Sequence, residues 1–218
     1  MKTPPRPASR ALTFVVAILS VLFGPLAAGT AGADDQIITR AEAFVDIDGA
    51  RDMDTVFEVH DLDSPVVDAG NLAFAHALRC TDCQAVALSF QIVLLQQPVT
   101  TLVPENLAVS LNEECTGCDA AAGAYQFIVG RGEPVRLTPT GYQQLGQIRG
   151  EVHRLQGSRL SGPETVAAAD SLADRIRAIL AAEVQPVADG YPPHIEDHRY
   201  RAVGNSPVEE SSTVVAAA

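Results

Sequence analysis

The sequence predicts an α+β fold in which β-hairpin units form an antiparallel sheet, followed by a C-terminal helical hairpin. Three observations predict it. The stretch 71–93 returns at 106–128 with a constant offset of 35 residues and no gap. Within each copy large and small side chains alternate with period two, the strand signature. Beyond residue 137 the apolar spacing changes to three and four, the helix signature.

The elements follow in order. Lys2, Arg6 and Arg10 precede an apolar run from Ala11 to Phe23, which Gly24-Pro25 ends before Ala31-Gly32-Ala33. A positive start, a short apolar run and an A-x-A site are the parts of a cleavable secretory signal. The run is too short for the roughly 20 residues a spanning helix needs. Residues 1–33 therefore read as a signal peptide, 34–184 as one domain and 185–218 as a disordered acidic tail. The expected location is secreted or otherwise extracytoplasmic, with no membrane span in the mature chain.

Past Ala33 there is no Lys, and 12 Arg face 27 acidic residues. Such a chain is repelled by nucleic acid and by anionic membranes. The absence of Trp and the low aromatic content argue against a carbohydrate platform.

A degenerate first unit aligns with the second at an offset of 33, placing Phe57 on Phe90 and Asp48-Gly49 on a turn. The clustered Asp46, Asp48, Asp52 and Asp54 read as a solvated turn; the ligand order of an EF-hand is missing. In the second unit Leu72, Phe74, His76 and Leu78 alternate with Ala73, Ala75 and Ala77, then Cys80-Thr-Asp-Cys83 provides the turn. Val86, Leu88, Phe90, Ile92 and Leu94 follow, alternating with small or polar residues. The third unit repeats the plan around Cys115-Thr-Gly-Cys118, after a loop predicted over 96–105 that contains Pro98 and Pro104.

Neither face is polar, so the sheet must be covered on both sides, or covered by a partner through its small-residue face. Asn71 and Asn106, and Gln91 and Gln126, occupy equivalent places. Hydrogen bonding to neighbouring backbone is their simplest role; a binding ladder is the alternative.

Tyr142, Leu145, Ile148, Val152 and Leu155 mark one helix over 138–156. Ser161, followed by Pro163-Glu164, caps a second whose stripe runs from Val166 to Val184. The two form an αα-hairpin over one sheet face.

Cys80, Cys83, Cys115 and Cys118 have the spacing of a paired zinc knuckle. Export makes disulfides the default. Local pairs, Cys80–Cys83 and Cys115–Cys118, would let each unit close its own bond. A cross-unit pair such as Cys80–Cys115 is the rival, and a zinc thiolate site is the alternative. His194-Ile-Glu-Asp-His198 fits neither order of a zinc-protease helix. His76 reads as a packed core histidine. No catalytic motif is found, so the chain reads as non-catalytic and without a cofactor, zinc being the alternative.

The stretches Asn71-Leu-Ala-Phe-Ala, Cys80-Thr-Asp-Cys83, Phe90-Gln-Ile-Val, Pro104-Glu-Asn106 and Tyr125-Gln-Phe-Ile128 resemble a family of secreted proteins from high-GC Gram-positive bacteria. That family is similar to the C-terminal region of chains labelled peptide zinc metalloprotease. The resemblance covers about 65–160 and implies export but no established role. The protease label does not carry over, because the chain has no zinc-protease helix. The function expected is a secreted envelope or interaction protein, acting on an unknown protein partner or by self-association. The alternative is a metal-binding accessory protein of an exported peptide or peptidase system.

Overall fold

The computed structural model describes residues 35–130, 134–187 and 194–205, and the backbone of 209–216. The segment read as a signal peptide lies outside the described residues. Strands β1 (Asp35–Val45), β2 (Arg51–Leu62), β3 (Val66–Leu78), β4 (Gln84–Leu95), β5 (Thr101–Glu113) and β6 (Asp119–Val129) come first. Short β7 (Val135–Leu137) leads into helices α1 (Pro139–Gln156) and α2 (Gly162–Glu183), and β8 (Val184–Pro186), β9 (His194–Val203) and β10 (Glu209–Ala216) complete the order.

Within β1–β6, the repeated part of the chain, consecutive strands do not pair, which overturns the antiparallel hairpin sheet. Of these six, the odd strands form one parallel sheet, β1-β3-β5, and the even strands belong to a second, ordered β10-β9-β6-β4-β2, while β7 and β8 pair by themselves. In the second sheet β2, β4 and β6 run parallel, while β9 and β10 are antiparallel additions. Each turn is thus an arch between two stacked sheets, and one arch with its two strands makes a rung. Asn71 pairs with Asn106, Gln91 with Gln126 and Phe57 with Phe90, so like residues stack in register.

The alternation of large and small residues builds two different layers. Ala41, Ala43, Ala73, Ala75, Ala77, Ala85, Ala87, Ala108, Ala120, Ala122 and Ala124 meet between the sheets. Cα atoms of β1 and β4, and of β3 and β6, approach within 8 Å across that layer. Packed sheets ordinarily sit about 10 Å apart, and only side chains this small permit the closer approach. The small-residue face is therefore covered within the chain and needs no outside partner.

The bulky face of the even sheet carries Phe57, Leu88, Phe90, Tyr125 and Phe127, packed against Leu145, Ile148, Leu172 and Ile176 of the helices. Phe90 stacks on Tyr125 at 4.6 Å between ring centroids. The helices begin where the sequence places them, the second at its expected Ser161 cap. Thr138 accepts from Gly141 N–H, and Ser161 and Glu164 form a reciprocal capping box. No described helix is long and apolar enough to cross a membrane.

Thr101–Glu105 lies in β5 rather than in a connecting loop. Pro104 is tolerated there because β5 is an edge strand of its sheet. Residues 194–203, expected in a disordered tail, form β9 against β6.

The first rung differs from the others. Asp52 and Asp54 on β2 occupy the inward positions that alanines take in β4. Their carboxylates accept the outward amides of β1, Phe44 N–H at 2.7 Å and Glu42 N–H at 2.9 Å.

Candidate functional site

The parallel register stacks the arch turns as it stacks the strands. A bridge joins Thr81 to Thr116, with Thr116 N–H donating to Cys80 C=O and Asp82 N–H to Thr116 C=O. The first turn continues the column: Gly49 N–H donates to Thr81 C=O, and Asp48 accepts from Thr81 N–H at 2.7 Å. Asp48 is thus a turn-stacking acceptor.

Each cysteine turn uses left-handed backbone at two equivalent places. Arg79 and Glu114 precede the first cysteines at φ 53° and 52°, and Asp82 and Gly117 precede the second at 52° and 68°. Only Gly117 does this without steric cost, and a Cβ there would collide with the Asp82 carboxylate. Three non-glycine residues in this region mark strain that the surrounding stack holds in place.

These turns bring the sulfurs of Cys80, Cys83, Cys115 and Cys118 within 4.8 Å of one another, the one group of potential metal ligands of this kind among the described residues. Cys80 and Cys83 are joined as a disulfide, the first expected local pair. Cys115 and Cys118, the second, are free thiols. Cys80 Sγ lies 3.8 Å from Cys115 Sγ and 3.8 Å from Cys118 Sγ, and Cys83 Sγ lies 3.0 Å from Cys118 Sγ. Burial, and then the neighbouring Cys115 thiol, push the Cys118 thiol above its ordinary range.

The amide residues form a second cluster, wholly between the sheets. Gln126 donates to Gln91 Oε1 and Ala69 C=O, and Gln91 donates in turn to Thr39 Oγ and Gly70 C=O. Thr39 closes the line on the Glu58 carboxylate at 2.6 Å. Asn71 donates to Asn106 Oδ1, and Asn106 to the carbonyls of Ala124 and His198. Gln91 and Gln126 are fully buried. This geometry is that of a ladder bonding sheet to sheet.

His76 is buried on the outer face of β3, edge-on to Phe44 and Phe74, with Nε2 at 3.4 Å from Glu113. Burial lowers its pKa against the opposing pull of Glu113. His194 and His198 stand on β9 on either side of Glu196.

Sequence reasoning missed an ion network between α2 and β9. Arg199 bonds both oxygens of Asp197, at 2.9 and 2.6 Å, and Asp174 at 2.8 Å. Arg201 meets Asp170 at 2.7 Å, and Tyr125 donates to the same carboxylate. The available signal was Asp170 and Asp174, four apart on a helix, opposite Arg199 and Arg201, two apart on a strand. Comparison of the chain with protein-family models, curated proteins and solved structures found no match.

Proposed function

We propose that the chain works outside the cytoplasm as a non-catalytic interaction module, its contact surface being the outer face of the β1-β3-β5 sheet. One observation carries this reading. Ile38, Phe44 and Val103, 51%, 44% and 41% exposed, all stand on that face, and no described helix packs on it. The even sheet, by contrast, has its bulky face under α1 and α2. Large apolar side chains left exposed on this face, beside the exposed Arg40–Glu42 pair, support a contact with another protein. The apolar run and A-x-A site at the N-terminus support export. The in-register pairing of like residues supports reading the chain as a repeated unit.

The test compares wild type with Phe44→Glu/Val103→Glu in sedimentation with cell-envelope fractions, untreated or stripped of protein by protease. Wild type is expected to sediment with the untreated fraction alone, and the variant to stay in the supernatant with an unchanged melting temperature. Equal behaviour of the two chains would overturn the reading. Export is checked separately: N-terminal sequencing of protein recovered outside the cell should begin near Asp34, and a retained Met1 would refute it.

A further inference from the structure

We propose that Cys80, Cys83, Cys115 and Cys118, once reduced, form a single tetrahedral tetrathiolate site for a soft divalent cation of the zinc class, spanning two rungs. The site goes beyond the interaction reading and does not depend on it.

The distances carry the argument. A metal–sulfur bond of about 2.3 Å sets the edges of a sulfur tetrahedron near 3.8 Å. Cys80 already stands 3.8 Å from both Cys115 and Cys118, and all four sulfurs fall within 4.8 Å. The fold explains why. Parallel strands repeat at about 4.8 Å, so stacking two C-x-x-C turns in register puts equivalent cysteines near one tetrahedral edge apart. The two-residue spacing within each turn then brings the second cysteine beside the first, which supplies the other pair. The left-handed residues recur at the same places in both turns, so both present their cysteines in the same way.

A centre built only for disulfides would be complete with two bonds. Here one bond is present, and the remaining two thiols converge on it. Cys118 also donates to Cys80 C=O at 3.2 Å, across the rungs.

A dithiol gives two electrons and two protons to the Cys80–Cys83 bond, yielding two thiols and its own cyclic disulfide. One divalent ion then replaces the protons of four thiols, which leave to solvent. Disulfide and metal are therefore mutually exclusive occupants of the same sulfurs.

The experiment uses the mature chain reduced with dithiothreitol, freed of reductant under anaerobic conditions and titrated with Co2+. The expected result is one Co2+ per chain with the intense visible bands of tetrahedral thiolate cobalt, bleached by Zn2+. Circular dichroism should show a folded chain, and Zn2+ should raise its melting temperature or restore its fold. The oxidised chain and the Cys115→Ser/Cys118→Ser variant should not give the spectrum. The proposal falls if the folded, reduced chain binds no stoichiometric Co2+. It falls equally if the spectrum is the pale one of oxygen ligands, an adventitious ion only. Wild-type spectra from the double variant or the oxidised chain would overturn the shared site.

Discussion

The molecule has two apolar layers that solve the same packing problem in opposite ways. Between the sheets, alanines let two backbones approach closely, and little apolar area is buried per residue. Beneath the helices, Phe90, Tyr125, Phe127 and the leucines fill a thick layer with large side chains. The thin layer gains its cohesion from close contact and from the amide ladder at one end; the thick layer gains it from buried area. The thick layer should therefore be sensitive to loss of volume, and the thin one to its addition.

Substitutions can break this contrast. Phe90→Ala, in the thick layer between Phe57 and Tyr125, should cost about 3–5 kcal/mol in denaturant unfolding. A cost near that of a surface change would show that the helices are a loose cover. Ala87→Leu, in the thin layer, should cost about 1–3 kcal/mol, because the hydrogen-bonded strands on either side cannot both retreat. A neutral result would mean that the sheets can move apart. Leu88→Met, one residue on but in the thick layer, should cost less than about 1.5 kcal/mol, the ordinary toll of a volume-conserving change.

The smallest effect is a pH dependence on the third face. His76 is lowered by burial in the folded state. Its neutral form is the one the fold accepts, so its contribution is present above the unfolded pKa of about 6.5. That contribution falls as pH drops through this value toward the lowered folded one. His76→Phe should flatten the melting temperature between pH 7 and pH 5 relative to wild type. An unchanged slope would assign the acid sensitivity to carboxylates.

Much of the local structure was legible. Strand alternation placed β3, β4 and β6, and Thr138, Ser161, Pro163 and Glu164 placed both helix starts. The partnering of strands was not. Period two and a four-residue turn describe a hairpin and an arch equally, since both reverse the chain. The distinguishing sign was the ungapped recurrence of Asn71 at Asn106 and Gln91 at Gln126. Amides stack on their own kind in parallel, in-register sheets. The cysteines were legible as a group, but their convergence depends on that register. β9 escaped because Asp197 and Arg199 are buried through ion pairs with α2 rather than through apolar surface. Hydropathy cannot register burial of that kind.

The aspartates of the first rung have a consequence for assembly. A parallel stack whose outermost strand offers free amides is a template to which another molecule can add, rung upon rung. Asp52 and Asp54 occupy two of those amides from within and place negative charge where an incoming strand would dock. Strand addition at this edge of the first rung is opposed at those two positions.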